Sequence, residues 1–280
     1  DDAFDPATLS EIQRYAKLFW INTGPYNNLT ARKFVLKITP QALSTAAKSA
    51  ASSGAAFPTQ PNESVDQLLT RLGPMFFDPN VDPSVTNKTP GAGKDILSSS
   101  ANNLYSGVSM ADLRGFTEKY GLNSRLVKQE GKLVEEVYRV GGRYSKEITA
   151  IVTHLEAAIP FATEPMANAL RALVQFYRTG EKADREKYDI AWVKDTSSPV
   201  DTINGFIEVY LDSRGAKGAW EGLVFYVNHD ETQAIRTLAR EEQWFEDRMP
   251  WDAAWRKQGV AGVTGNAGGA KSTGAKNSPP

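Results

Sequence analysis

Two glutamates set inside apolar runs, Glu208 and Glu221, are the residues whose setting most needs a chemical explanation. They lie in the stretch from Tyr188 to Tyr226. There Ile203 to Tyr210 and Ala219 to Val227 are rich in β-branched and aromatic residues, and a Gly-containing turn from Asp212 to Gly218 joins them, which reads as strand, turn, strand. A carboxylate among apolar side chains costs several kcal/mol unless it is paired or hydrogen-bonded. A structural ion pair with Arg214, Lys217 or another cation and a functional site stand here as equal alternatives. Strand alternation places Asn204, Phe206, Glu208 and Tyr210 on one face. Other chemistry is thinly represented. His154 and His229 are the only histidines. Neither has partners at a convincing metal-ligand spacing, so the first reads as a surface or capping histidine and the second as part of a helix cap. Gly91-Ala92-Gly93-Lys94 lacks the glycine at 88 and the hydroxyl residue at 95 of a phosphate loop; Lys88 and Asp95 stand there instead. With no cysteine, disulfides, thiolate catalysis and thiolate metal sites are excluded.

The elements that must position the acid pair follow from periodicity and punctuation. Apolar residues at Leu9, Ile12, Tyr15, Ala16 and Phe19 predict a helix over 8–20, and Pro40 opens another that ends before Gly54. Ser64 caps a short helix through Leu72, stopped by Gly73-Pro74, and a Pro- and Gly-rich loop follows from Pro79 to Gly93. Ser109 caps a helix to Tyr120. Arg125 to Gln129 and Leu133 to Val140 alternate around Glu130-Gly131-Lys132, a hairpin signal. Helices are predicted over 144–159, 165–177, 182–188 and 230–248, with Asp230 as the cap of the last. From Gly259 the composition turns to Gly, Ala, Ser, Lys and Pro, which predicts a flexible tail over 259–280.

Composition sets the class. At 280 residues, 41% apolar and 23% charged, with a net charge of −1, the chain is ordinary for a soluble globular protein and has no basic run suited to nucleic acid. No apolar run is long enough to span a membrane, and the polar opening Asp1-Asp2-Ala3 shows no signal peptide, although a processed secreted protein would open the same way. The expected location is cytoplasmic or periplasmic. The N-x-S/T triplets at Asn28, Asn62 and Asn87 read as chance matches.

Several blocks resemble one family. Asn204-Gly205-Phe206-Ile207-Glu208-Val209-Tyr210 resembles the GFIExY substrate strand of the dipeptidyl peptidase III family of zinc exopeptidases, and Trp220-Glu221-Gly222 resembles the aromatic-Glu-Gly that follows it. Phe19-Trp20-Ile21-Asn22-Thr23-Gly24-Pro25 with Thr30 and Lys33-Phe34, Tyr105-Ser106-Gly107, and Asn123-Ser124-Arg125-Leu126 agree with further family blocks. The resemblance implies an α+β fold, mostly helical, with a small antiparallel sheet or barrel from the 125–140 and 203–227 strands, as in the lower lobe of that family. Residues 1–258 would be its N-terminal region. It also implies an oligopeptide substrate laid along the strand, with Glu208 receiving the peptide α-ammonium, Glu221 as a further acidic contact, Tyr210 donating to the scissile carbonyl, and Asn204 and Phe206 as neighbouring substrate-binding residues of unassigned role. The family's HExxGH and EExxA or EExxR zinc motifs and its GINxPN loop are absent, so no metal residue is assigned here. Zinc would belong to the complete enzyme. The chain would then be an N-terminal fragment or one chain of a split enzyme, the latter with a second chain carrying the zinc lobe as partner; neither nucleic acid nor a membrane span is expected. The alternative is a non-catalytic peptide- or protein-binding scaffold derived from the same fold.

Overall fold

The computed structural model describes residues 5–257, so the tail expected at 259–280 lies outside the described residues. The chain divides into two compact units built from interleaved segments. Within the described residues the first takes 5–117, Leu126–Val134 and Val209–Ala216, and the second takes Glu118–Arg125, Glu135–Glu208 and 217–257.

In the first unit, α1 (Pro6–Ile21) starts where Asp5 accepts from the Thr8 amide at 2.9 Å and Pro6 supplies a preset first turn. The N-cap of α2 (Pro40–Ser52) is Thr39. Ser64 and Gln67 form a reciprocal capping box for α3 (Val65–Phe77). This helix runs through Gly73-Pro74 rather than stopping at Leu72. The continuation lets Phe76 pack on Tyr15 at 5.8 Å between ring centroids, while Tyr15 also meets Phe34 at 5.4 Å. That packing offsets the one helical bond that Pro74 cannot make. The helix expected from Ser109 is only a set of turns. Ser109 and Asp112 do exchange capping bonds, but Gly115 adopts φ +78° and ends the first turn.

Strand β1 (Tyr105–Ser106) pairs in parallel with β2 (Ser124–Gln129), and β3 (Lys132–Val137) completes the order β1-β2-β3. Glu130 and Gly131, both at positive φ (49° and 79°), make the tight turn expected of the hairpin.

The second unit is organised around α4 (Ser145–Ala158), α5 (Glu164–Thr179) and α6 (Lys182–Lys194). Ile148 and Val152 from α4, Leu170, Leu173, Val174 and Tyr177 from α5, and Tyr188 from α6 are all buried in one cluster. The helix α6 extends beyond Tyr188 because Ala191 and Trp192 also pack there, and the Trp192 indole donates to Asp201 at 2.8 Å. Strands β4 (Val200–Glu208) and β5 (Ala219–Tyr226) form a separate two-stranded antiparallel sheet. The fold is therefore α+β, as expected, with the strands of the two hairpins held in two sheets. Last come α7 (His229–Arg240), capped by Asn228 rather than Asp230, and α8 (Glu242–Glu246). No helix among the described residues is long and apolar enough to cross a membrane.

The junction after α5 is the most constrained point of this core. Gly180 sits at φ +71° and donates to the Phe176 carbonyl at 2.7 Å, and a Cβ on it would stand 2.7 Å from Val137 Cγ1. Gly180→Ala therefore combines left-handed strain with a clash and should cost about 2 kcal/mol or more. Urea unfolding at neutral pH measures this; a loss below about 0.5 kcal/mol would contradict it.

Candidate functional site

The register of the β4–β5 hairpin decides which side chains meet. Gly205 faces Glu221 and Phe206 faces Trp220, but Glu208, not Ile207, faces Ala219, so a bulge lies between Phe206 and Glu208. Directly opposed residues share a face, and so do residues two apart on one strand. Ala219 and Glu221 share a face, and the bulge brings Glu208 onto it. Without that extra residue, alternation would have kept Glu208 with Asn204 and Phe206, on the face opposite Glu221.

The expectation that residues 204, 206, 208 and 210 share one face is thus corrected twice. Glu208 leaves the face of Asn204 and Phe206 at the bulge. Tyr210 is not on the strand at all: β4 ends at Glu208, and Tyr210 falls in a turn of the first unit closed by the Asp212 amide on the Val209 carbonyl at 3.0 Å. Asp212 shapes this turn. Fully buried, it accepts from the Tyr105 hydroxyl at 2.8 Å and from the Arg214 and Ala216 amides at 3.0 and 2.8 Å. The Leu211 carbonyl accepts from Thr86 and Asn102. Tyr210 itself is 62% exposed.

Asn204 and Phe206 face the packed side of the hairpin. The Tyr177 hydroxyl donates to Asn204 Oδ1, and burial raises the Tyr177 hydroxyl pKa far above its usual value. Phe206 sits in an aromatic cluster, with ring centroids 4.2 Å from Tyr138 and 5.3 Å from Trp220. Both residues anchor the strand from below. Gly205 between them adopts φ +142°, and a side chain there would meet the Arg185 guanidinium at 2.7 Å.

The acid pair is also less buried than its apolar sequence context suggested. Glu208 is exposed and Glu221 is partly buried. The Glu221 carboxyl is held above the usual glutamate range, first by burial and then by the negative charge of Glu208. Neither carboxylate has an ion-pair partner among the described residues. The two cations that a structural ion pair would have used are engaged elsewhere: Lys217 with Glu118, and Arg214 with the Tyr105 hydroxyl at 3.3 Å.

Glu208 and Glu221 thus lie on one face of the β4–β5 hairpin, on an α+β scaffold, with no ion-pair partner among the described residues. Comparison with known proteins makes the class specific. The family model for peptidase family M49 matches residues 101–261, more than half of the chain, and the chain belongs to that family. Dipeptidyl peptidase 3 of Dictyostelium discoideum is 32% identical over 130 residues, covering 46% of this chain and 18% of that relative. The rat enzyme of the same name is 28% identical over 117 residues, 41% of this chain and 16% of its own. The chain thus spans less than a fifth of the length of the curated relatives it matches. The solved dipeptidyl peptidase III of Caldithrix abyssi has a similar fold, with a TM-score of 0.50 and 18% identity over 91% of this chain and 38% of that one.

M49 is a family of zinc metallopeptidases, and the donors present do not make a zinc site. Among the described residues no group of three or more histidines, aspartates or glutamates could hold a metal ion. His154 is exposed on α4, and the sequence places His229 at the start of α7.

A carboxyl whose folded-state pKa is raised favours the protonated form in the fold. Its contribution is full below the ordinary glutamate value and is lost as pH rises through the folded value. Glu208→Gln removes the neighbouring charge, so it should lower the Glu221 midpoint and raise stability at pH 7 slightly, by less than about 1 kcal/mol. Urea unfolding at pH 4 and pH 7 checks the sign: the gain should vanish at the lower pH, and a loss at pH 7 would contradict the repulsion.

Proposed function

We propose that this chain forms the part of a dipeptidyl peptidase III-like zinc peptidase that receives the N-terminal end of a peptide, for release of dipeptides by the complete enzyme. The acid pair carries the proposal. Glu208 and Glu221 on one face, with no cation of their own, suit the α-ammonium of an unblocked peptide through charge-assisted hydrogen bonds. A peptide with a blocked N-terminus brings no charge and leaves the repulsion between the carboxylates in place, which favours an exopeptidase that measures from that end. The hairpin has two strands among the described residues, and a peptide added along it as a further strand would be held by main-chain bonding that accepts many sequences.

By resemblance, Tyr210 donates its hydroxyl to the carbonyl of the scissile bond, a donor of the kind that stabilises a developing oxyanion. Asn204 and Phe206 support the strand from below. The bound metal would activate water in the complete enzyme, held by a zinc lobe carried either on a longer form of this chain or on a second chain.

Isothermal titration of the full chain with an unblocked tetrapeptide and its N-acetylated twin tests this. The unblocked peptide should bind at least about tenfold more tightly, a difference near 1.4 kcal/mol, and Glu208→Gln should erase most of that preference. Equal affinity for the two peptides, or none for either, would sink the proposal. The chain alone should also release no dipeptide with or without added zinc; turnover by a metal-verified preparation free of contaminating peptidase would show that the chemistry resides here.

A further inference from the structure

Lys217 is fully buried, a rare place for an ammonium, which persists in a protein interior only when its donors are satisfied. Its Nζ pairs with the Glu118 carboxylate and donates to Ser124 Oγ at 3.0 Å and to the Gly121 carbonyl at 3.1 Å. All three partners lie on the short segment 118–124, which contains the 3-10 turn Gly121–Asn123. The next residue adds a backbone bond to the same segment: the Gly218 amide donates to the Leu122 carbonyl at 3.1 Å. Gly218 is in turn pressed against β4. A Cβ there would stand 2.7 Å from the Phe206 carbonyl carbon, 2.8 Å from its oxygen and 3.1 Å from the Ile207 nitrogen. Phe206 is the residue at which the bulge opens. An unbroken series of contacts therefore runs from the 118–124 segment through Lys217 and Gly218 to the peptide that turns Glu208 onto the face of Glu221.

We propose that Lys217 is a positioning residue for the acid pair: its buried ammonium fixes where β5 begins, and with it the bulge that places Glu208 beside Glu221. The link to peptide recognition rests on the function proposed above; the placement of the two carboxylates does not. Lys217 touches no substrate. It acts by holding Gly218 against Phe206, which only a residue without a side chain can approach so closely.

The test uses the full chain and reads the Glu221 carboxyl directly, by NMR titration of glutamate side chains. The variants are Lys217→Met combined with Glu118→Gln, which removes both buried charges together, and Lys217→Arg, which keeps the cation. In the double variant the Glu221 midpoint should fall toward the ordinary glutamate range while amide-exchange protection of α5 stays unchanged, and affinity for the unblocked tetrapeptide should drop by roughly tenfold or more. Lys217→Arg should restore most of both. A folded double variant in which Glu221 titrates as in the wild type would overturn the proposal. Should the double variant fail to fold, Glu118→Gln alone keeps an acceptor but removes the anchoring charge, and an unmoved Glu221 midpoint in that variant would overturn the proposal equally. If the wild type binds no peptide, the functional proposal fails, and the Glu221 midpoint still decides the role of Lys217.

Discussion

Repulsion between two carboxylates on one face of a two-stranded sheet is the constraint that the second unit has to accommodate. Folding alone would separate them or supply a cation, and here it does neither. The cost is modest. Glu208 is exposed and Glu221 only partly buried, so water screens most of the interaction, and unit charges at hydrogen-bonding range in high dielectric exchange about 1 kcal/mol. The cluster of α4, α5 and α6, with Leu173 and Tyr177 fully buried, can carry such a cost without further compensation. An unfavourable arrangement maintained by a well-packed support is what a binding site for a cation requires, because the ligand supplies the charge that the fold withholds.

The geometry of the pair depends on a single inserted residue. Period-2 alternation is a parity rule, and a bulge reverses parity beyond it. Before the bulge, β4 turns Asn204 and Phe206 into the aromatic cluster of Tyr138, Tyr177 and Trp220; after it, the same parity points Glu208 outward. One strand thereby serves two purposes within five residues. Its first half is anchored from below by aromatic packing and by the Tyr177–Asn204 hydrogen bond, and its last residue carries a charge. Rigid support under an exposed functional group keeps that group in place at little entropic cost on binding.

Much of this fold was legible because its signals are local. Apolar spacing along α5, the Glu130-Gly131 turn, the opening Pro40 and the capping residue Ser64 each specify their element without help from distant residues. The errors occur where distant residues decide. Pro74 reads as a stop, but the packing of Phe76 on Tyr15 carries α3 past it. The capping bonds of Ser109 are present, yet Gly115 closes the turn before a helix can propagate. Glu208 and Glu221 stand out in the sequence by their apolar setting, but their common face was not legible. The bulge leaves no mark on the apolar pattern of β4. Its traces are Gly218, which must lack a side chain to lie against Phe206, and Lys217, whose three partners lie more than ninety residues away in sequence. Such a residue reads in isolation as an ordinary surface lysine, or as a ready counter-ion for a nearby glutamate.

The burial of Lys217 also bears on why the acid pair stays uncompensated. Lys217 lies on the loop between β4 and β5, four residues from Glu221. On a flexible stem it would reach a carboxylate of the pair and quench it. Withdrawn into the interior against Glu118, Ser124 and the Gly121 carbonyl, it spends its charge and its donors there. An ammonium so placed cannot leave without stranding a buried carboxylate, a cost of several kcal/mol that no partly screened surface carboxylate repays. The same contact that fixes the start of β5 thus removes a competitor for the site. Selectivity for an external cation then depends as much on where the protein's own cations are tied down as on where its carboxylates stand.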